Sequence, residues 1–150
     1  MPQSLANVVL HLVFSTKHRL PLIGPAHRAN LHAYIAAVVR SAGCGCPCVG
    51  GVADHVHIAI CLSRTIAIAE LVEKVKIASS KWLKTQAPEL AAFAWQRGYG
   101  VFSLGPADLP ALMAYIDDQP QRHGARTFQQ EYLAILESHG VDYDERYVWD

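Results

Sequence analysis

Several things are missing from this 150-residue chain. No run of about 18 apolar residues occurs, so no transmembrane helix is expected and no membrane partner. No basic-then-apolar pattern opens the chain, which makes the cytoplasm the expected compartment. Net charge is absent, with 13 Lys/Arg against 13 Asp/Glu, and this argues against a general nucleic-acid binder. Cysteines number four, Cys44, Cys46, Cys48 and Cys61. The dense Cys44-Gly-Cys46-Pro-Cys48 stretch lacks the paired C-x-x-C spacing of a zinc ribbon. Reduced, structural cysteines are therefore expected, and alternation along a strand would put all three on one face. What is plentiful is hydrophobic residue, 51% of the chain, and the length suits one domain over residues 1–150 with its own core.

Charge that cancels overall does not cancel locally. Residues 1–86 carry nine Lys/Arg and three acids, a net +6, while residues 87–150 carry four Lys/Arg and ten acids, a net −6. A basic first half suits an anionic ligand, whereas the acidic half reads equally as a solvated surface.

Apolar periodicity divides the chain in order. Asn7–Ser15 alternates as a strand, ending in the basic cluster Thr16-Lys17-His18-Arg19. Gly24-Pro25 opens a helix with the stripe Leu31, Ile35, Val38 and Val39, which ends near Gly43. The cysteine stretch to Val49 is a second strand, and Gly50-Gly51 is expected to turn it into a third over residues 53–62. A long helix follows from about Ile68 to Lys84, with Leu71, Val75, Ala78 and Trp82 as its buried stripe and Lys74, Lys81 and Lys84 on another face. Tyr99–Leu104 reads as a fourth strand. Pro106 or Pro110 starts a third helix that Pro120 is expected to stop. Thr127-x-x-Gln130 is a capping box for a last helix with the stripe Phe128, Tyr132, Ile135 and Leu136, ended by Gly140. The aromatic tail to Trp149 is expected to dock on the domain. This order is βαββαβ with added C-terminal helices: an α+β, ferredoxin-like antiparallel sheet whose first and third strands lie centrally.

The third strand carries the first chemical signal. Val56, Ile58, Ile60 and Leu62 share one face and read as core, while His55, His57, Ala59 and Cys61 share the other. Two imidazoles on one strand face are a half-site for a divalent metal, although the same triplet also suits two partly exposed histidines at a strand entrance. The third helix carries Tyr115 and Gln119, four apart and so on one face.

Taken together, these residues have a specific meaning. Asp54-His55-Val56-His57 followed by Tyr115-Ile116-x-x-Gln119-x-x-x-His123 resembles the single-tyrosine HUH transposases of small bacterial insertion sequences and their REP-associated relatives. Collinear matches run through most of the chain: His11-x-Val13-Phe14-Ser15-Thr16-Lys17-x-Arg19, Lys76-x-x-Ser79-Ser80-Lys81-Trp82, Trp95-Gln96-x-Gly98-Tyr99-Gly100-x-Phe102-Ser103, and the Tyr143-Asp144-Glu145-Arg146-Tyr147 tail.

The resemblance implies an HUH endonuclease fold and a mechanism. His55, His57 and the Gln119 side-chain oxygen would hold Mg²⁺ or Mn²⁺, with all three ligands neutral. The ion would polarise a scissile phosphate. Tyr115 would attack phosphorus and become joined to the 5′ end of the broken strand. The implied substrate is single-stranded DNA beside small hairpins, and the implied assembly is a homodimer in which Tyr115 serves its own or its partner's histidines. Lys17, Arg19, Lys74, Lys81 and Arg97 are the candidate phosphate contacts. His11, on the neighbouring central strand, is a candidate for ordering the site or for filling space.

Two departures stand out. Asp118 occupies a position often held by Asn in relatives, adding negative charge, and the Cys44–Cys48 cluster is foreign to the pattern. Two other readings compete. A metal hydrolase using activated water would need a further ligand beside His55 and His57 and would not need Tyr115. A non-catalytic single-stranded DNA-binding module would need none of the four residues intact.

Overall fold

The structure, a computed structural model, describes residues 2–150, the side chain of His123 excepted. Its centre is a four-stranded antiparallel sheet made by β1 (Val9–Ser15), β2 (Gly45–Gly51), β3 (His55–Cys61) and β4 (Gly100–Leu104), in the order β2-β3-β1-β4. The histidine strand and β1 are thus the two central strands, as the topology required. Their register sets Val13 opposite His57 and Ser15 opposite His55.

Alternation gives the sheet two unlike faces. On one, Leu10, Leu12 and Phe14 of β1 and Val56, Ile58 and Ile60 of β3 meet α1 (Pro25–Ser41) and α2 (Ile68–Leu83) in the main core. Burial of these aliphatic side chains, each worth about 1.5–3 kcal/mol, is the main force holding the layer. On the other face lie His11, His55, His57 and Ala59, covered by α3 (Leu109–Asp117) and α5 (Phe128–Ser138). The short α4 (Gln119–His123) joins these two helices.

Four local expectations change. The β2–β3 turn falls at Val52–Asp54, not at Gly50-Gly51, and is closed by Val52 N–H donating to His55 O. Gly50 belongs to the strand because α3 lies directly on it: a Cβ there would sit 2.6 Å from Ile116 Cγ2 and 2.7 Å from Ile116 O. The cysteines do not share a face. An irregularity between Gly45 and Cys48 shifts the register, so Cys44 and Cys46 join the main core while Cys48 faces α3. All four cysteines are free thiols. Pro47 is accommodated because β2 is an edge strand.

Pro120 does not stop a helix. It sits in the first turn of α4, where its missing N–H costs nothing, and the break falls one residue earlier than Gln119, at Asp118 (φ −87°, ψ 3°). In α2 the buried stripe is Leu71, Val72, Val75, Ser79 and Leu83, one position on from the expected Ala78 and Trp82. Ser79 accepts that place by accepting a hydrogen bond from Trp95 Nε1 (2.9 Å) and donating to Val75 O (2.6 Å). Trp82 instead stacks on Tyr34 at the edge of the core. The Thr127 capping box is present, and Val148 and Trp149 of the tail pack with Phe128 and Tyr132, while Tyr147 stays exposed.

Candidate metal and nucleophile site

The histidine face of β3 is fully covered, not partly open: His55 and His57 are both 0% exposed. Each ring is held at Nδ1. Asp54 Oδ1 lies 2.6 Å from His55 Nδ1, and His11 Nε2 lies 2.7 Å from His57 Nδ1. His11 reaches across because it faces Ala59, so His57 is its diagonal neighbour on the same sheet face. Held in this way at Nδ1, both rings turn Nε2 into the layer between sheet and helices. Such partners fix the tautomer and orientation of metal-binding imidazoles. Burial holds His57 below the ordinary histidine pKa despite Glu131 nearby, and His11, buried and beside His57, falls to about 3, so both rings are neutral.

Facing these nitrogens are side chains from two helices, α4 and α5. Gln119 Oε1 lies 3.0 Å from His55 Nε2. Glu131 of α5 brings Oε1 to 3.0 Å from His57 Nε2 and Oε2 to 3.6 Å from His55 Nε2. His57 Nε2 nevertheless makes no hydrogen bond of ordinary geometry. Glu131 also accepts hydrogen bonds from Gln119 Nε2 (2.9 Å) and from the Tyr115 hydroxyl, a very short contact. Burial alone would raise the Glu131 pKa, but the proximity of His57, then the Tyr115 hydroxyl hydrogen bond, outweigh it and hold it at about 2, so the group is an anion.

The donor set is therefore two imidazole nitrogens, an amide oxygen and a carboxylate, all acceptors converging on one point. Acceptors so close together repel unless a proton or a cation lies between them. Among the described residues, His55, His57 and Glu131 form the one group whose ligand atoms approach closely enough to hold a metal ion. Mixed nitrogen and oxygen ligands of this kind suit Mn²⁺ and similar divalent ions, with Mg²⁺ a harder and less favoured guest.

Tyr115 stands at the edge of this cluster. Its ring lies 5.5 Å from that of His57 and 6.0 Å from that of His11 in the same chain. Burial and then the Glu131 hydrogen bond push the phenol pKa well above its usual value, while Arg122, whose guanidinium lies 4.7 Å from the ring centroid, pulls the other way. Asp118 pairs with Arg122 at 3.3 Å, so the negative charge expected there is balanced locally.

The sequence reading missed Glu131, Arg122 and the partnering role of Asp54. Glu131 had a signal: a carboxylate three residues after Phe128 and four before Ile135 falls on the apolar stripe of α5, where an acid is out of place unless paired. The five candidate phosphate contacts scatter. Lys17 and Arg19 lie in the turn leaving β1 at the His55 end of the sheet, and Arg19 sits over the Trp149 ring. Lys74 and Lys81 are on α2, across the sheet from the histidines, and Arg97 shares a groove with Lys81 and Lys84. His123, part of the motif, has its side chain outside the described residues.

Comparison with known proteins gives the chain a family and a fold. The family model for IS200-like transposases matches residues 4–119, and the chain belongs to that family. No curated protein sequence matches. Among solved structures, a protein of Deinococcus radiodurans R1 described as a candidate transposase is similar at TM-score 0.62 and 18% identity, over 79% of this chain and 98% of that one. A REP-associated tyrosine transposase bound to a REP hairpin is similar at TM-score 0.60 and 14% identity, over 83% of this chain and 73% of that one. These likenesses establish a shared fold, and α5 with Glu131 lies beyond the segment that the family model matches. Among the described residues no helix is long and apolar enough to cross a membrane.

Proposed function

We propose that this transposase cuts and rejoins single-stranded DNA beside hairpins, through a 5′-phosphotyrosine on Tyr115 and with a divalent ion held by His55, His57, Gln119 and Glu131. One observation carries the reading: the Tyr115 hydroxyl and His57 Nε2 meet at the same carboxylate, that of Glu131. This contact supports reading Tyr115 as the nucleophile of a site whose ligands lie in the same chain. A bound divalent cation would draw electron density from the scissile phosphate and add positive charge beside the phenol.

The protein residues supply the rest. Asp54 and His11 hold both imidazoles with Nε2 turned inward. Glu131, already accepting the Tyr115 hydroxyl hydrogen bond, takes its proton. The phenolate oxygen forms a bond to phosphorus, and the phosphorus–3′-oxygen bond breaks, the departing oxygen taking a proton from water to leave a free 3′-hydroxyl. The phosphoryl bond stored on tyrosine allows a later 3′-hydroxyl to reverse the step without ATP. Arg122 over the Tyr115 ring favours the phenolate. The groove bearing Lys81, Lys84 and Arg97 suits the DNA backbone away from the reacting phosphate, Lys17 and Arg19 suit it near the histidines, and Lys74 adds charge on α2. A homodimer and a cytoplasmic location complete the proposal.

Labelled single-stranded hairpin DNA incubated with Mn²⁺ and resolved on a denaturing gel tests it. A covalent protein–DNA band lost in Tyr115→Phe is the expected outcome. Hydrolysis by activated water is the second reading, and Glu131 favours it by supplying the acidic ligand such an enzyme needs. There, cleavage survives Tyr115→Phe without any covalent band. Binding without cleavage would leave a DNA-binding module.

A further inference from the structure

β2 is an edge strand, and α1 and α3 lie on opposite faces of the sheet beside it. At its Gly50–Gly51 end they wall a cavity of about 360 Å³. None of His55, His57, Tyr115, Gln119 or Glu131 lines it. The two helical walls are opposite in polarity. α1 presents its first two turns, where the Gly24 cap brings no side-chain acceptor and the first turn holds no acid. The positive end of the helix dipole is left with the Arg28 guanidinium beside it, a cation where an anion is favoured. Arg28 Nη2 donates to Ile23 O (3.0 Å), but Arg28 Nε is buried with no acceptor. One turn on, His32 Nε2 is also buried without a partner. Burial, then Arg28, lowers the His32 pKa to about 4, so this ring offers hydrogen bonding without charge. Across the cavity α3 presents its last residues, Ile116 and Asp117, at the negative end of its dipole. Asp117 Oδ1 accepts a weak hydrogen bond from the Cys48 thiol at 3.3 Å. Among the described residues Arg28 and Asp117 form no ion pair with each other.

We infer that this cavity binds a free α-amino acid with an apolar side chain, its carboxylate against the Arg28 guanidinium and its ammonium against Asp117. A zwitterion supplies both absent partners at once: an acceptor at the start of α1 and a charged donor at the end of α3. A bare anion would face the like charge of Asp117, and a bare cation would leave the buried Arg28 N–H without an acceptor. Pro25, Val49 and Ile116 make the rest of the wall apolar, which suits an aliphatic side chain. The volume lies within the range of small-molecule sites. The site is separate from the metal cluster, and the inference does not depend on the reading of Tyr115 as the nucleophile.

The test is a titration of the full chain, in EDTA, with L-leucine, with isocaproate, which lacks the ammonium, and with isopentylamine, which lacks the carboxylate. Amide shifts of Ala29, Gly50 and Gly51 follow the binding. L-leucine is expected to bind saturably at these residues, about tenfold tighter than either half-molecule, because each half-molecule loses a charge-assisted hydrogen bond. Asp117→Asn is expected to reduce the leucine affinity to that of isocaproate, and Arg28→Gln to that of isopentylamine. Ala29→Phe fills the cavity from an exposed position and is expected to abolish binding, which keeps the test open should Arg28→Gln not fold. Isocaproate binding as tightly as leucine overturns the inference in favour of a simple anion site. Absence of saturable binding, shifts confined to other surfaces, or unchanged affinity in Asp117→Asn and Ala29→Phe overturns it outright.

Discussion

Replacing Glu131 with Gln separates its two roles. In the ion-free protein a carboxylate is held against two inward imidazole nitrogens and an amide oxygen. Gln keeps an acceptor for Tyr115 and Gln119 but removes the charge that the surroundings favour, so the ion-free variant is expected to be less stable at neutral pH, by about 1–3 kcal/mol. The ion-bound form loses more. Mn²⁺ at a hundred times its Kd stabilises the wild type by about 2.7 kcal/mol, and a domain of this size shifts by about 2–4 °C per kcal/mol. The Mn²⁺-induced rise in Tm is then about 5–11 °C. Loss of a charged ligand is taken as about a hundredfold in affinity, the upper end of the range for outer-shell partners, which at the same Mn²⁺ concentration leaves about 0.4 kcal/mol and a rise of about 1–2 °C. Differential scanning fluorimetry with EDTA and with Mn²⁺ reads both numbers, and calorimetric titration reads the Kd directly. Equal Mn²⁺ shifts in wild type and Glu131→Gln would refute Glu131 as a ligand.

Asp54→Ala is expected to leave the EDTA Tm nearly unchanged yet to weaken Mn²⁺ binding about 10–100-fold, because His55 Nδ1 loses the acceptor that orients it. Gly50→Ala is expected to lower Tm by about 2–12 °C, since overpacking against Ile116 costs about 1–3 kcal/mol, and to slow covalent complex formation by displacing the helix that carries Tyr115. In EDTA, stability is expected to fall as pH drops below about 6.5. Burial lowers the His11 and His32 pKa values to about 3 and about 4, so folding favours the neutral rings; that stability is complete above the unfolded pKa and is lost as pH falls toward the folded values. Each ring contributes a slope of about 1.4 kcal/mol per pH unit in that window, and His32→Leu should remove one such slope in urea titrations at pH 5 and 7.

The fold was legible because its signals are periodic and local. Strand alternation separated Val56, Ile58 and Ile60 from His55 and His57, and the βαββαβ order then made β3 central. What misled was context that one residue carries for another. Gly50 and Gly51 look like a turn, but Gly50 is small because Ile116 lies on it, a contact 66 residues away in sequence. Pro120 looks like a helix end, but it begins the next helix. Trp82 has the residue type of a core position, but Ser79 takes that position because Trp95 donates to it. At the site, His55, His57, Tyr115 and Gln119 were legible from spacing and resemblance. Glu131 was marked only as an acid on the apolar stripe of α5; its meeting with β3, α3 and α4 is encoded by no pairwise spacing in the sequence.

Glu131 also changes the electrostatics on which the sequence reading relied. Three neutral ligands would leave a divalent ion its full charge for the phosphate. A carboxylate neutralises part of that charge, which strengthens retention of the ion and weakens its pull on an anionic substrate. The same carboxylate is bonded to the Tyr115 hydroxyl and raises its pKa. A group that both holds the ion and restrains the nucleophile keeps the phenol protonated until other positive charge arrives. Arg122 is placed to supply some of it, since it already lies over the ring and its only paired acid, among the described residues, is the half-exposed Asp118. On this arrangement the tyrosine is activated by charge assembled around it, ion on one side and guanidinium on the other, rather than by burial, which acts against ionisation.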